Sequence, residues 1–175
     1  MGEFGDLVAK RLTGKLPPGE LKERIKQFFK EQTMCSLATC KDNIPRATPL
    51  ECFADGLNLY ISADPGQKVE NVKVNPVAAI SMCNQINPEW SGDKWKTHKA
   101  IQLVGKAVLL GPDDPENIRA KTKIIHWQAF VAALGWDTSA PRKGWVIKVE
   151  PTRIEYSEPA LMLKGLSAKQ IWEAE

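Results

Sequence analysis

Residues 34–63 read MCSLATCKDNIPRATPLECFADGLNLYISA, and this stretch decides the fold. Met34–Cys40, Pro45–Phe53 and Leu57–Ala63 are strand-length runs separated by Asp42-Asn43 and Asp55-Gly56. Residues of those types accept the positive φ that tight hairpin turns require, so two consecutive hairpins are predicted. In the third run Leu57, Leu59 and Ile61 share one face while Asn58, Tyr60 and Ser62 share the other, because successive strand side chains point to opposite sides. One face is core. The other is wet or holds a ligand.

Toward the N-terminus, Leu21, Ile25, Phe28 and Phe29 fall at i, i+4, i+7 and i+8 of Glu20–Gln32, one face of an amphipathic helix. Leu7, Val8 and Leu12 suit a short helix that the break at Lys15-Leu16-Pro17-Pro18-Gly19 ends. On the other side, Asp64-Pro65 reads as an N-cap and an N1 proline for a helix through Val74, closed by Asn75-Pro76. Val77–Cys83 is the next strand. Asn84–His98, with Pro88, Trp90, Gly92 and Trp95, has little periodicity and reads as a long loop.

Lys99–Leu110 alternates as a long strand, and Gly111-Pro112-Asp113-Asp114-Pro115 combines a turn with a second N-cap and N1-proline signal. The helix that follows carries Ile124, Trp127, Val131 and Leu134 as its apolar stripe and Gly135 as its C′ residue. Trp145–Val149 is a strand before Pro151, extended by Ile154–Tyr156, and Ser167-x-x-Gln170 resembles a capping box opening a last short helix. The expected fold is mainly β with flanking helices: a six-stranded antiparallel barrel, closed or nearly so. It occupies a single domain over 1–175, with a helical segment at 1–32, the barrel at 33–157 and a C-terminal tail or helix at 158–175.

Composition narrows the functional classes. The 175 residues are 43% hydrophobic and 26% charged, ordinary for a globular protein. Lys plus Arg is 24 against 21 Asp plus Glu, a net charge of +3 that is too weak for the basic stripe of a nucleic-acid binder. The longest apolar run, Ala129–Leu134, falls far short of the roughly eighteen residues that span a bilayer. No signal-peptide stretch is present, and Asp6 stands where a myristoylation site has Ser or Thr, so a cytoplasmic protein with no membrane partner is expected. Cys35, Cys40, Cys52 and Cys83 show no C-x-x-C spacing and no adjacent histidine. They read as reduced thiols, and no metal is expected.

The chain has two histidines, His98 and His126, and neither sits in a triad pattern; both read as structural. Walker and Rossmann glycine motifs are absent. One constellation suits a phosphate monoester: Ser62 at a strand end, then Asp64-Pro65-Gly66-Gln67-Lys68 opening a helix, whose unpaired N–H groups and dipole favour an anion.

These segments, in their order, resemble a known family. Met34-Cys-Ser-Leu-Ala-Thr-Cys40, Pro45-Arg-Ala-Thr-Pro-Leu50, Leu59-Tyr-Ile-Ser62, Gln67-Lys68, Asn75-Pro76, Ile101-Gln-Leu-Val-Gly105 and, more loosely, Trp145–Tyr156 are similar to the pyridoxamine 5′-phosphate oxidase-like FMN-binding split barrels. The resemblance implies that Arg46, Ser62, Gln67 and Lys68 hold the FMN phosphate. It implies contacts from Ala47, Thr48 and Pro49 along the isoalloxazine ring, with Gln102 reaching the cofactor from a later strand. It further implies a homodimer with the flavin at the subunit interface, and an FMN-dependent oxidoreductase acting on a small-molecule redox substrate. FAD or a deazaflavin would use the same phosphate corner, and a non-catalytic flavin-binding sensor or a haem-handling protein are the alternatives. Two positions depart from the pattern: Glu51 stands where the vitamin-processing oxidases carry a lysine, and Gln67 where they carry an arginine. Ser157–Glu175 lacks their Arg- and His-bearing segment, so pyridoxamine phosphate is not the expected substrate. Trp90, Trp95, Trp127, Trp136 and Trp145 read as core and dimer packing.

Overall fold

The computed structural model describes residues 2–85, 93–137 and 144–175. The Asp42-Asn43 turn forms as read: φ is +54° and +59° at its two residues, the left-handed pair of a type I′ hairpin. It joins β1 (Met34–Lys41) to β2 (Ile44–Glu51). The register sets Leu37 opposite Thr48 and Thr39 opposite Arg46. Directly opposed residues share a face, and Cys35, Leu37 and Thr39 are buried, so Thr48 and Arg46 face inward and Ala47 and Pro49 outward.

The antiparallel sheet is completed by β3 (Phe53–Asp55), β4 (Asn58–Ala63), β5 (Val77–Cys83), β6 (Ala100–Leu110), β7 (Trp145–Ser157) and β8 (Lys169–Glu173). Its order is β2-β1-β5-β6-β7-β4-β3, with β8 added to β7. The two ends of that order, β2 and β3, are consecutive in the chain with only Cys52 between them. The sheet therefore curls until its ends meet, which is the split barrel. Cys52 is 1% exposed, and its N–H donates to the Thr33 carbonyl at 2.8 Å. Hydrogen bonding to the Cys35 thiol and burial both push its pKa up, so it stays a thiol.

The sheet has eight strands where six are expected. The second run divides because it changes partners at Cys52, leaving β1 for β4. The C-terminal residues form β8 and not a helix: Gln170 is buried, accepting from the Leu16 N–H at 2.9 Å and donating to the Gly14 carbonyl at 3.2 Å. A five-residue segment gains little as an isolated helix, whereas pairing with β7 satisfies its backbone. Pro151 does not end β7, because the ladder crosses a bulge between Val104 and Gly105. A Cβ on Gly105 would lie 2.8 Å from the Pro151 Cα, so only glycine fits there.

Helix α1 (Glu3–Ala9) stops short of Leu12, and α2 (Pro18–Glu31) buries Leu21, Ile25, Phe28 and Phe29 against the barrel. Each such side chain contributes roughly 1.5–3 kcal/mol when fully buried. Between β4 and β5 lies α3 (Gln67–Val74). Past β6 the expected single helix is three pieces: α4 (Pro115–Arg119), a π turn at Ala120–Ile124 and α5 (Trp127–Ala133). Asp114 caps α4 as expected, its Oδ1 accepting the Glu116 N–H at 2.7 Å. The π turn shifts the helical phase, so Val131 is buried while Leu134 is exposed. Gly135 is the left-handed C′ residue, with φ +69°. Of the long loop, Lys94–Thr97 forms a 3₁₀ turn, and Trp90 lies outside the described residues. Among the described residues no helix is long and apolar enough to cross a membrane.

Candidate functional site

Helix α3 begins later than its sequence suggests. Gly66, not Asp64, occupies the N-cap, its carbonyl accepting from the Val69 and Glu70 N–H groups at 2.9 and 3.1 Å. Its φ of 160° is extended backbone, and this places Pro65 outside the helix. Asp64 stands two residues before the N-cap and does not cap the helix. Val69, Asn71 and Val72 are buried. Asn71 donates to the Thr39 hydroxyl at 3.0 Å, and Gln67 donates to the Asn71 side-chain carbonyl at 2.8 Å. This chain of bonds fixes the first turn of α3 over the inward face of β1 and β2.

Arg46 opposes Thr39, so it comes to the same place. A cavity of about 350 Å³ opens there, lined by Lys41, Asp42, Pro45, Arg46, Gln67 and Asn71. Lys41 is not among the residues that the sequence motifs single out, although the hairpin register carries the signal: it opposes Ile44 across the turn and so shares the face of Arg46. Its charge reaches α3, where the Lys73 hydrogen bond first and Lys41 in addition lower the Glu70 pKa.

The other expected residues lie elsewhere. Lys68 is half-buried at the second position of α3, its Nζ 3.5 Å from the Asp64 carbonyl, and it does not line that cavity. Pro49 and Gln102 line a mainly apolar cavity of about 450 Å³, joined across the sheet by the row Pro49, Ser36, Ser81, Gln102. Ala47 is exposed on the outward face, in a row with Ala38 and Ala79. Thr48 Oγ1 is buried with no hydrogen-bond partner among the described residues. Ser62 lines a third cavity of about 330 Å³ together with Glu51, Trp127 and Phe130. The structure thus brings Arg46 to Gln67 and Pro49 to Gln102, and sets Ser62 and Lys68 apart from both pairs.

Two aromatic groups flank these cavities. Trp127 and Phe130 on α5 have ring centroids 5.2 Å apart. Phe4 and Trp95 stand 4.9 Å apart and, with His98, line a cavity of about 700 Å³. His98 Nδ1 is buried there without a partner among the described residues. His126 is exposed at a left-handed φ of +53°. Trp145 packs on the core under Lys73, whose Nζ is 5.8 Å from the ring centre.

The curled sheet with helices on its flanks and the family comparison agree. Residues 21–157 match the pyridoxamine 5′-phosphate oxidase family, and the chain belongs to it. Among solved structures it is similar to a putative pyridoxamine 5′-phosphate oxidase from Listeria innocua, at 20% identity and a TM-score of 0.58 over 77% of this chain and 95% of that one. An FAD-binding protein from Mesorhizobium loti is similar at 16% identity and a TM-score of 0.58, over 77% of this chain and 90% of that one. The haem storage protein HutZ from Vibrio cholerae is similar at 16% identity and a TM-score of 0.56, over 75% and 89%. At such identities the likeness shows the fold alone. No curated protein sequence matches the chain.

Proposed function

We propose that this protein binds FMN and acts as an FMN-dependent oxidoreductase on a small-molecule redox substrate. The observation that carries the reading is the meeting of Arg46 with Gln67 at the first turn of α3, with Lys41 beside them, in a chain of this family. Two cations, a carboxamide and the unpaired N–H groups of a helix start suit a phosphate of charge about −1.5 to −2. The orphaned Oγ1 of Thr48, two residues from Arg46 on the same face, is a further polar group that a bound ligand would satisfy.

In this reading Arg46, Gln67 and Lys68 hold the phosphate end, with Ser62 near the same strand-to-helix connection. Ala47, Thr48 and Pro49 run along the ring, and Gln102 approaches from β6. Bound flavin supplies the hydride or electron chemistry, and the chain binds, orients and shields it. No side chain is assigned as a catalytic acid or base. The protein works as a cytoplasmic homodimer with the flavin between subunits, its four cysteines free thiols.

The test is the visible spectrum of the purified protein. A flavin is expected to copurify, or added FMN to lose fluorescence at micromolar protein. If no flavin copurifies and added FMN keeps its fluorescence, the reading fails. Mass spectrometry of the released chromophore separates FMN from FAD and deazaflavins. Electron transfer to a quinone, nitro compound or oxygen separates an enzyme from a flavin-binding sensor. One observation favours haem as a second reading: His98 Nδ1 is unpartnered beside the 700 Å³ cavity. A Soret band on haem addition that His98→Ala removes is the expected result, and a band that persists in His98→Ala sinks it.

A further inference from the structure

Helix α1 buries none of its residues, and seven residues are too few to hold a helix on propensity alone. Its position depends on what it meets. Glu3 pairs with Lys96 at 3.2 Å, and the Phe4 ring lies 4.9 Å from that of Trp95, tilted by 48°. Between α1, the 3₁₀ turn at Lys94–Thr97 and Pro159 lies the cavity of about 700 Å³, larger than the three around the residues assigned to flavin. It shares no lining residue with them.

The wall opposite α1 is fixed by hydrogen bonds. The Asn84 side chain donates to the Thr97 carbonyl at 2.7 Å and accepts the Lys99 N–H at 2.7 Å, clamping the chain on both sides of His98. The His98 N–H adds a bond to the Trp95 carbonyl at 3.4 Å. The backbone thus sets where the imidazole stands, and its Nδ1 is shut off from solvent with no partner among the described residues. A buried polar atom left unpaired is costly, and a ligand that pairs with it recovers that cost.

These walls select one kind of ligand. Phe4, Trp95 and Pro159 offer rings to a flat apolar body, and the volume holds a molecule of two or three rings. No lysine or arginine lines the cavity among the described residues, and its two carboxylates, Glu3 and Asp93, both engage Lys96. An anion would meet two carboxylates that share one ammonium, and a cation would have to displace Lys96 from both. A hydroxyl suits Nδ1 in either tautomer, because it donates to the bare nitrogen and accepts from the protonated one. We propose that this cavity binds a flat, uncharged aromatic molecule bearing a phenolic hydroxyl, with His98 Nδ1 holding the hydroxyl, Trp95 and Phe4 enclosing the rings, and α1 held in place over it. The site stands apart from the flavin reading, since none of the residues assigned to flavin belongs to it.

The experiment joins calorimetric titration to hydrogen exchange of the α1 amides, on the full-length protein with whatever flavin it carries. The probes are 2-naphthol, 2-methylnaphthalene, 2-naphthoate and 2-naphthylmethylamine, which share two rings and differ at one group. 2-Naphthol is expected to bind most tightly, and its binding to slow exchange across Glu3–Ala9. His98→Phe keeps a ring in the wall and removes Nδ1. It should weaken 2-naphthol by about three- to tenfold, the scale of one neutral hydrogen bond, and leave 2-methylnaphthalene unchanged. Phe4→Ala, at a position 41% exposed, should weaken both while the fold stays intact. Naphthoate or the amine binding as tightly as 2-naphthol, unchanged 2-naphthol affinity in His98→Phe, or α1 exchange unmoved at saturation would overturn the proposal. A Soret band on haem addition that His98→Phe removes would give the cavity to haem and overturn it too. Flavin absorbance of the same samples tests the flavin reading on its own.

Discussion

Lys68 sits at the second position of α3, inside the turn whose N–H groups have no helical partner. A cation there works against the helix dipole unless an anion lies in front of it. If it contacts the FMN phosphate, Lys68→Ala should weaken FMN binding by about ten- to a hundredfold, and riboflavin, lacking the phosphate, should bind both proteins alike. Lys73 is the control, since it pairs with Glu70 at 2.8 Å and covers Trp145 at the other end of the helix. Fluorescence titration checks the pair. Equal FMN affinity of Lys68→Ala and Lys73→Ala, with a loss only in Arg46→Ala, would move the phosphate wholly into the Arg46–Gln67 cavity. Arg46 and Gln67 are legible in the sequence because each belongs to a motif with fixed spacing. Lys41 and Asn71 are not, because their place depends on a hairpin register and on a buried bond to Thr39, thirty-two residues away.

At the scale of elements, α4 is tied to the sheet by charge. The buried Tyr60 hydroxyl donates to Glu116 at 2.9 Å, Lys148 on β7 reaches the same carboxylate oxygen at 2.9 Å, and Arg119 pairs with Asp55 at 2.9 Å. The Lys148 hydrogen bond holds the Glu116 carboxyl below its ordinary pKa of 4.5. The folded protein therefore binds this proton less readily than the unfolded chain does. Its contribution is complete above the unfolded value and vanishes as pH falls through the lowered folded value. Glu116→Gln should lower stability at neutral pH, and the gap to wild type should narrow at an acidic pH below the ordinary carboxylate value. Urea unfolding at the two pH values checks this, and a gap that does not narrow removes the electrostatic account. The Asp114 cap of this helix is legible because capping is local, as are both hairpin turns and the stripe of α2. The rest of the region is not: the π turn, the bulge that carries β7 past Pro151 and the strand at β8 are all set by what packs or pairs against them. Local propensity is weak enough for tertiary pairing to override it.

For the whole molecule, the question is what covers the outward face of the sheet. β2 is hydrogen-bonded along β1 alone, and nearly all of its residues are exposed. Beside it, Val104 (41% exposed) ends the row Ala47, Ala38, Ala79, and Val77 (55%) adjoins that row, while the row Pro49, Ser36, Ser81, Gln102 separates it from Met34 (57%). Exposed small and apolar residues on a sheet face suit an interface, and a second copy of the same face is self-complementary about a two-fold axis. Ala79 lies in the middle of that face on β5, with its neighbours small enough for close approach. Ala79→Arg would bring two like charges together out of water, a cost of several kcal/mol that an interface of ordinary size does not absorb. The residue points away from the core, so the barrel itself should keep its melting temperature within a few degrees. Sedimentation equilibrium of the wild type at micromolar concentration should give twice the chain mass of 19.5 kDa, and Ala79→Arg should give the chain mass. If the flavin lies between subunits, the monomeric variant should lose it in the same preparation while its far-ultraviolet circular dichroism is unchanged. A wild type that sediments as a single chain, or an Ala79→Arg protein that remains dimeric, would assign this face to something other than a second copy.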